Sequence, residues 1–403
     1  MSDSATPPLP DSTDVLVVGG GLTGTALAYF LAGEGVDVVV AERGELNREA
    51  SGTNAGSFHF QIAIHHLTAF ETANVRGRLL EEVRLLRKAA RVWETLEREL
   101  DGPLDVHVTG GLMVGETDDQ FKLLVEKREI EQEAGLETHL LPPAELRTFA
   151  PYLADDLTGA TFCPGEGHAN PLLVVPLFAR RAVERGAVVC THTAVEQIER
   201  RDVAGATHFV VRTSAGTITA RRIVNAAAAW ANDIATLVGL SHAYRADGLH
   251  VNVTEARPRL IEPMVQHIGR RLTLKQSSNN TFIIGGGWPA RPEQPPRRYS
   301  NRWDSAAGNT AVAIRVVPAL AGVRVVRTWT GVMPFTDDGA PVVGESSVVP
   351  GYYVCLATTG FTLMPLLARM LAEHMASGTP LPPSFSPDRR SSHPAPTPSR
   401  GRT

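Results

Sequence analysis

The chain contains few cysteines, no excess of one charge and no long unbroken apolar run. Its three cysteines lie far apart among 403 residues and form no CxxC pair. This excludes a zinc site or an iron–sulfur cluster built from cysteines of this chain alone, and we predict no metal site. Sparse, unpaired cysteines are typical of the reducing cytoplasm, where we expect the protein. The net charge of −4 is not that of a basic, nucleic-acid-binding protein, so we expect no nucleic-acid partner.

Two further absences concern membranes. The first residues have neither the basic region nor the apolar stretch of a secretory signal, so we expect none. Residues 346–368 carry no charge, but Pro350, Gly351, Gly360 and Pro365 interrupt them. A spanning helix needs about 20 mainly apolar residues in a row. We therefore predict a strand, a loop and a helix inside a core, and no membrane span.

A glycine-rich turn near the N-terminus is the most informative pattern present. Residues 15–18 are typical of a buried parallel strand, and Gly19, Gly21 and Gly24 follow, with an apolar helix behind them. A second strand ends at Glu42, about 20 residues after the glycines. Such a turn lets a pyrophosphate approach the helix N-terminus, and the acid can hold ribose hydroxyls. The spacing of all these parts predicts dinucleotide binding.

Two domains are expected for a globular chain of this length. Apolar periodicity predicts helices over residues 66–100 and 118–133, and the middle third is typical of antiparallel strands. We predict an α/β fold with a Rossmann-like domain built from discontinuous segments and a β-rich antiparallel second domain of the α+β kind. The predicted segments are 13–90, 150–245 and 325–378 for the first domain, 91–149 and 246–324 for the second, and 1–12 and 380–403 for disordered tails.

Separated segments of the chain resemble one family, the FAD-dependent amino-acid and amine oxidoreductases of the D-amino acid oxidase, glycine oxidase and sarcosine oxidase type. Besides the glycine turn, they are ASGTNAGS (50–57), VNAAAAW (224–230), RTWTGVMPFTDDGAPVVG (327–344) and TGFTL (359–363). The resemblance covers residues 13–378. Residues 51–57 and 110–114 look most like the opine oxidase and D-hydroxyproline dehydrogenase catalytic subunits.

The resemblance implies FAD as the cofactor and assigns residues to it. It implies that the pyrophosphate binds at Gly19, Gly21 and Gly24, that the adenosine ribose binds at Glu42 and Arg43, and that Ser51, Gly52 and Asn54 line the path to the flavin. It also implies that the backbone of Val195 contacts the adenine and that Ala226 and Trp230 pack along the dinucleotide. The flavin pyrimidine is expected to bind to the backbone N–H groups of Gly360, Phe361, Thr362 and Leu363.

Departures from the family pattern narrow the chemistry. The arginine that usually holds a substrate carboxylate is Met333 here, which disfavours a simple D-amino acid or glycine. The oxygen-activating lysine of sarcosine oxidases is replaced by an apolar residue near Ile283, which favours another electron acceptor. No cysteine lies between Trp329 and Asp337, so the FAD is expected to be non-covalent. Ala228 stands at a glycine of the family, a change expected to cost little.

Three residues are candidates for the substrate site. Lys275 ends a strand that by resemblance lies over the flavin, and it could anchor a carboxylate; a solvated lysine at a strand end is the alternative. His59 follows the flavin loop, and His250 lies on a strand expected near the site, although either could be an ordinary core histidine. Glu166 and His168, in a turn-rich segment, are interpreted as loop structure.

These features together predict an FAD-dependent oxidoreductase acting on the C–N bond of an amino acid derivative. We expect a secondary amine, opine or imino acid to transfer hydride to flavin and the imine to be hydrolysed. The resemblance implies partner subunits that accept the electrons. The alternatives are an amino acid or sarcosine-type oxidase producing hydrogen peroxide, and a flavin-bearing subunit inactive without partner chains. An NAD-dependent dehydrogenase is disfavoured by the flavin-loop resemblance.

Overall fold

The structure is a computed structural model that describes residues 7–63, 75–203, 206–294, 298–336 and 338–389. Its α-helices are α1 (Leu22–Gly33), α2 (Ala50–Thr53), α3 (Val75–Glu99), α4 (Asp118–Glu133), α5 (Pro143–Phe149), α6 (Pro171–Glu184), α7 (Ala231–Thr236), α8 (Trp303–Val316) and α9 (Gly360–Ser377). Its strands are β1 (Ser12–Val18), β2 (Val38–Ala41), β3 (Ser57–Phe58), β4 (Gly111–Gly115), β5 (His139–Leu141), β6 (Gly159–Cys163), β7 (Gly167–His168), β8 (Val188–Cys190), β9 (Val195–Val203), β10 (Ala206–Thr213), β11 (Gly216–Asn225), β12 (Tyr244–Ala256), β13 (Met264–His267), β14 (Thr273–Gln276), β15 (Thr281–Gly285), β16 (Arg291–Glu293), β17 (Arg298–Ser300), β18 (Val325–Thr336), β19 (Val342–Glu345) and β20 (Tyr352–Leu356).

The first sheet has a parallel centre. Strands β19, β20, β11, β1, β2 and β8 lie side by side in this order, while β10 pairs with β11 and β9 pairs with β10. Strand β1 pairs in parallel with both β11 and β2, and β8 pairs in parallel with β2. The carboxyl ends of β1, β2 and β11 therefore lie at one edge, where open α/β sheets bind their ligands.

Helices cover the first sheet and explain its apolar strands. Leu27 of α1, Phe178 of α6 and Leu367 of α9 belong to one core with Val17 of β1. Leu16, the neighbour of Val17, points to the other side of the sheet and belongs to a second core. Because β1 is buried on both faces, it is an unbroken apolar run instead of an alternating one.

The second sheet is mainly antiparallel. Its strand order is β18, β12, β15, β14, β13, β4, β6 and β5, and β13 and β4 form its parallel pair. The predicted α/β class, with a β-rich antiparallel second part, is confirmed. None of the helices in the described ranges is long and apolar enough to cross a membrane.

Alternate residues of the second sheet face opposite sides. Leu274 and Ile284 share a core with Ala313 of α8, so one side of the sheet is covered by this helix and is called the α8 face. Lys275 pairs with Ile283, and both point to the other side, called the Lys275 face. By strand register, the same side carries Gln266, Val251, Val253, Trp329 and Met333.

The loop after β2 lies on the Lys275 face. The indole Nε1 of Trp329 donates to the carbonyl oxygen of Thr53 at 2.7 Å. A Cβ on Gly331 would lie 2.4 Å from the Thr53 hydroxyl, so the two segments touch. The loop of residues 50–59 thus connects the nucleotide edge of the first sheet to the Lys275 face of the second.

The predicted domain limits need correction at two strands. Strands β6 and β18 belong to the second sheet, although residues 150–245 and 325–378 were predicted for the first domain. Periodicity indicates a strand but not its partner, and both strands pair with segments distant in sequence. Of the predicted helix over residues 66–100, the part before Val75 lies outside the described residues.

The predicted disordered tail from residue 380 also needs correction. Phe385 is buried in the core of the first sheet, and Arg389 forms an ion pair with Asp338 at 2.8 Å. Residues 381–389 therefore pack against the body of the protein. Residues 1–6 and 390–403 of the predicted tails lie outside the described residues.

Candidate active site

The glycine turn after β1 approaches helix α1 too closely for a side chain. Gly19 has a φ of +116°, in the region that favours glycine. A Cβ on Gly24 would lie only 1.8 Å from the carbonyl oxygen of Gly19. The N-terminus of α1 therefore lies directly on the turn, and its first N–H groups are placed to bind an anion such as a pyrophosphate.

Ser51 of α2 closes this turn from the other side. Its Oγ accepts the backbone N–H of Leu22, the first residue of α1, at 2.9 Å. A Cβ on Gly21 would lie 2.9 Å from the same Oγ, so only glycine leaves room for this approach. The structure thus brings Gly21 and Ser51, both predicted for the cofactor, together at the start of α1.

Gly52 and Asn54 shape the loop that follows. A Cβ on Gly52 would lie 1.9 Å from the carbonyl oxygen of Asn47. The Asn54 Nδ2 donates to the carbonyl oxygen of Ser51 at 2.6 Å, and its Oδ1 accepts the N–H of Gly56 at 2.6 Å. Both amide ends of Asn54 are therefore engaged in fixing the path of the backbone towards the second sheet.

Glu42 lies at the carboxyl end of β2 and binds the turn directly. Its Oε2 accepts the N–H of Gly20 at 2.6 Å, and its Oε1 accepts the N–H of Gly44 at 2.9 Å. The N–H of Thr193 donates to the Glu42 carbonyl oxygen at 2.7 Å, which brings Val195, the first residue of β9, to the same edge. The carboxylate and the adjoining backbone form one end of the site.

Arg43, Ala226 and Trp230 also gather at this edge. The guanidinium of Arg43 lies 4.1 Å above the indole ring of Trp230 and pairs with Glu49 at 3.0 Å. The N–H of Ala226 donates to the carbonyl oxygen of Val18, the last residue of β1, at 3.0 Å. The structure therefore places these predicted nucleotide-binding residues beside the glycine turn.

Helix α9 begins beside the end of the flavin loop. The Thr362 hydroxyl accepts the N–H of His59 at 3.2 Å, and the Thr362 carbonyl oxygen accepts the indole N–H of Trp93 at 2.9 Å. The ring of Phe361 lies nearly parallel to that of Phe58, with 6.2 Å between centroids. Buried aromatic contacts therefore fix the start of α9 against the segment that carries His59.

One predicted backbone donor of α9 needs correction. The N–H of Leu363 donates to the carbonyl oxygen of Thr359 at 3.1 Å, so it is used within the first turn of the helix. The N–H groups of Gly360, Phe361 and Thr362 precede it, and the first N–H groups of a helix have no partner inside the helix. These three N–H groups can bind an electron-rich group, whereas that of Leu363 cannot.

Lys275 and His59 come together on the Lys275 face. The side chain of Lys275 is 4% exposed, and no residue in the described ranges hydrogen-bonds to its ammonium or pairs with it. Burial lowers the pKa of Lys275 to about 7, although Asp105 opposes this in part. Burial, and after it the charge of Lys275, lowers the pKa of His59 to about 4. At pH 7 the imidazole is therefore neutral, while the lysine titrates.

His59 has a hydrogen-bonding atom to spare. Its Nδ1 is buried and has no hydrogen-bond partner within the described part of the chain. The side chain of Gln266, on the Lys275 face, lies beside the imidazole and favours its protonated form. Buried polar atoms normally have a partner, so this nitrogen indicates a place for a bound molecule or a water.

His250 does not join this arrangement, and its predicted catalytic role is corrected. It pairs with Thr330 of β18 and points to the α8 face, away from Lys275. Its Nε2 accepts the backbone N–H of Arg302, the residue that precedes α8, at 2.9 Å. His250 is therefore a buried cap of α8. Sequence spacing could not reveal this because the face depends on strand register.

The geometry agrees with a match to a known family. Residues 14–374 match the model of the FAD dependent oxidoreductases known as DAO. The chain belongs to this family. The prediction of an FAD-dependent oxidoreductase is thereby confirmed, and the match spans both sheets.

Three comparisons illustrate the relationship of this oxidoreductase to known proteins. One subunit of the opine oxidase of Rhizobium meliloti is 25% identical over 379 residues, which are 91% of this chain and 94% of that protein. Mitochondrial sarcosine dehydrogenase of Mus musculus is 26% identical over 404 residues, and the match spans 96% of this chain but 42% of that protein. The crystal structure of L-proline dehydrogenase from P. horikoshii has a TM-score of 0.82 at 24% identity, over 94% of this chain and 98% of that one. This last likeness shows the shared fold.

The oxidoreductase has residues that fit FAD at both ends of the site. At the first sheet, Gly24 lets the start of α1 lie directly on the glycine turn, where a helix N-terminus can bind a pyrophosphate, and Glu42 presents a carboxylate. At the second sheet, the free N–H groups at the start of α9 lie beside His59, whose Nδ1 lacks a partner within the described ranges. When bound, FAD supplies the hydride acceptor. Non-covalent attachment stays a prediction.

Sequence reasoning missed Gln266 and assigned Glu166 to loop structure only. Glu166 is fully buried and accepts the N–H groups of Phe60 and Gln61 at 2.7 and 2.9 Å. The turn-rich sequence around Glu166, which lies between Gly165 and Gly167, gave no signal of this burial. Nothing in the sequence signals that Gln266 faces His59.

Proposed function

We propose that this FAD-dependent oxidoreductase oxidises the C–N bond of an amino acid derivative that carries a secondary amine, such as an opine or an imino acid. The observation that carries the proposal is Lys275, a buried cation without a partner in the described part of the chain. A buried, unpaired ammonium is costly, and a substrate carboxylate would offset that cost. The sequence similarity to the opine oxidase of Rhizobium meliloti supports the substrate class.

Lys275 takes the place of the anchor that Met333 cannot provide. Both residues lie on the Lys275 face, but Met333 is on β18 and Lys275 is three strands away on β14. Neighbouring strands are about 4.8 Å apart, so β14 and β18 are about 14 Å apart, and Met333 lies about 20 Å further along β18 than Arg327, the residue in register with Lys275. We expect the carboxylate of the substrate to lie on the β14 side of this face.

His59 is suited to orient the amine of the substrate. Its low pKa keeps the imidazole neutral at pH 7, so it adds no positive charge beside the amine. The Nδ1, which has no partner in the described part of the chain, can accept a hydrogen bond from an amine N–H, or donate one in the other tautomer. With Lys275 on the carboxylate and His59 on the amine, the residues of this chain hold the C–N bond in one orientation.

The test is the absorbance spectrum of the purified protein, recorded anaerobically after addition of opines, D-hydroxyproline, proline, sarcosine and D-amino acids. We expect flavin peaks that bleach with a secondary amine bearing a carboxylate. Bleaching by primary D-amino acids alone would contradict the substrate class. Flavin peaks that no compound bleaches would favour a flavin-bearing subunit that needs partner chains.

A specific contact also favours a second candidate, an oxidase that forms hydrogen peroxide. The family resemblance places the oxygen-activating lysine near Ile283, and Lys275 pairs directly with Ile283 across β14 and β15. A cation therefore reaches the same face from the neighbouring strand. Oxygen consumption with the bleaching substrate, compared with reduction of an artificial dye, distinguishes the oxidase from a dehydrogenase.

Partner chains and location complete the proposal. The relative from Rhizobium meliloti is named as one subunit of an opine oxidase, which supports electron-accepting partner subunits for this chain. We place the protein in the cytoplasm, because Cys163, Cys190 and Cys355 are all free and buried. Purification of the tagged chain from its own cells, followed by a dye-reduction assay of the complex, tests for the partner chains, and fractionation of the same cells tests the location.

A further inference from the structure

Two buried carboxylates bind the chain directly after His59. The N–H groups of Phe60 and Gln61 donate to Oε1 of Glu166 at 2.7 and 2.9 Å. The next N–H, that of Ile62, donates to Oε1 of Glu131 at 2.8 Å. Both glutamates are fully buried, so three consecutive backbone groups are held by carboxyl oxygens away from water.

The side chain of Gln61 connects the two carboxylates. Its Nε2 donates to Oε2 of Glu166 at 2.8 Å and to the carbonyl oxygen of Gly111 at 3.1 Å. Its Oε1 accepts from the ammonium of Lys127 at 2.8 Å and from the hydroxyl of Thr161 at 2.7 Å. Both N–H donors and both acceptor sites of the Gln61 side-chain amide are therefore used, which fixes the amide in one orientation.

The network buries several ionisable groups, which costs free energy and is unusual for a purely structural role. Lys127 and Glu131 form an ion pair at 2.8 Å, and both side chains are completely buried. Buried ion pairs seldom stabilise a fold more than well-packed apolar residues would. Glu166 adds a second carboxylate, and burial raises its pKa to about 7. A role in fixing geometry explains these buried charges better than a contribution to stability does.

Glu166 also contacts a residue of the Lys275 face. Its Oε2 accepts from Nε2 of Gln266 at 3.4 Å, and Gln266 lies beside the imidazole of His59. A Cβ on Gly111 would lie 1.9 Å from this Oε2, so β4 admits the carboxylate only because it has a glycine there. One carboxylate therefore contacts both the chain after His59 and the amide beside His59.

We propose that Glu166 is a positioning residue that holds His59 and Gln266 together over the Lys275 face. This extends the proposed function, since it assigns Glu166 to the geometry of the amine-binding part of the site. In its ionised form Glu166 accepts four N–H groups and donates none. A glutamine there would turn its NH₂ towards the amides of Gln61 and Gln266, so one of these would have to move.

The experiment is an NMR titration of the protein labelled with ¹³C at the imidazole carbons of histidine. The signal of His59 is assigned by its loss in His59→Gln. We expect the pKa of His59 to rise from about 4 towards 6.5 in Glu166→Gln, because a released imidazole reaches water. The matched control is Glu116→Gln, another mostly buried glutamate, whose ion pairs are with Arg270, Arg315 and His267.

An unchanged pKa of His59 in folded Glu166→Gln would overturn the proposal. If this variant does not fold, Glu166→Asp keeps the charge but withdraws the carboxylate by one methylene, and it is read in the same way. No substrate is needed, so this result is independent of whether the proposed function holds.

Kinetics supply a second readout once a substrate bleaches the flavin. We expect Glu166→Gln to lower kcat at least tenfold with FAD still bound, and to have little further effect in the His59→Ala background. Equal fold-losses in the two backgrounds would show that Glu166 does not act through His59, which contradicts the proposal.

Discussion

The ammonium of Lys275 lies close enough to the imidazole of His59 for its charge to help lower the pKa of that imidazole. The two residues come from different parts of the fold: Lys275 from the centre of the second sheet, His59 from the loop that leaves the first. Burial is the larger cause of the low pKa, and it affects both residues. The pair therefore combines a titrating cation with a neutral imidazole in one enclosed place.

Replacement of Lys275 by methionine tests the carboxylate anchor. Lys275→Met keeps the length of the side chain and removes its charge, so we expect KM for the substrate to rise at least thirtyfold, about 2 kcal/mol for a charged hydrogen bond. The measurement is the rate of dye reduction against substrate concentration. Lys122→Met, at a lysine whose side chain is 76% exposed, is the control. An unchanged KM would rule out Lys275 as the anchor.

The pH dependence of carboxylate binding tests the same residue. Lys275 has a pKa of about 7, so it is charged below pH 7 and loses its charge as the pH rises above 7. We expect the Kd of propionate, followed by flavin absorbance, to be constant below pH 7 and to increase about tenfold per pH unit above it. Lys275→Arg stays charged at every pH and should remove this dependence. A wild-type Kd that is flat from pH 6 to 9 would contradict the assignment.

Removal of the His250 side chain should affect stability and not catalysis. His250→Ala leaves the N–H of Arg302 without its acceptor at the start of α8, so we expect a loss of about 1–2 kcal/mol in the free energy of unfolding. Chemical denaturation measures this loss, with His139→Ala, at an exposed histidine, as the control. KM and kcat should change less than twofold. A tenfold rise in KM in the folded variant would show instead that His250 belongs to the substrate site.

The backbone at Ala228 explains a departure from the family pattern. Ala228 has a φ of +47°, where a Cβ costs about 1–2 kcal/mol, so the expectation of a small cost was too low. Glycine has more conformational entropy in the unfolded state, which lowers stability by about 0.5–1 kcal/mol. Because the relief of strain is larger, we expect Ala228→Gly to raise the free energy of unfolding by roughly 0.5–1 kcal/mol. Thermal unfolding of the apoprotein measures it. Ala227→Gly, where φ is −81°, relieves no strain and should lose stability instead.

Glu42 should contribute to FAD affinity through its two oxygens. Glu42→Gln leaves one oxygen for the N–H groups of Gly20 and Gly44 and removes the charge offered to ribose hydroxyls. We expect the Kd of FAD to increase about thirtyfold, as the loss of one charged hydrogen bond of about 2 kcal/mol predicts. Titration of apoprotein with FAD, followed by flavin fluorescence, gives the value. Glu45→Gln, at an exposed carboxylate, should bind FAD as the wild type does, and equal Kd values for both variants would contradict the role.

The nucleotide end of the site could be predicted because its determinants are local. The turn after β1, the first residues of α1 and Glu42 lie within one βαβ unit, and each has a fixed geometric role that restricts its residue type. Gly19 and Gly24 occupy positions where a Cβ would collide with backbone, which is why the spacing is informative. At the flavin end, by contrast, the exclusion of the Leu363 N–H from the groups that can bind the cofactor required the observed hydrogen bond.

The sequence by itself determined the family, the cofactor and the nucleotide-binding turn, because short-range spacing encodes them. Only the tertiary structure decided which face of the second sheet each polar residue points to. A shift of one residue in strand register would replace Lys275 by Leu274 on the Lys275 face, and no local sequence pattern indicates that register. The contacts of Glu166 with Phe60, Gln61 and Gln266 depend on the packing of distant segments, so they appear only in the folded chain.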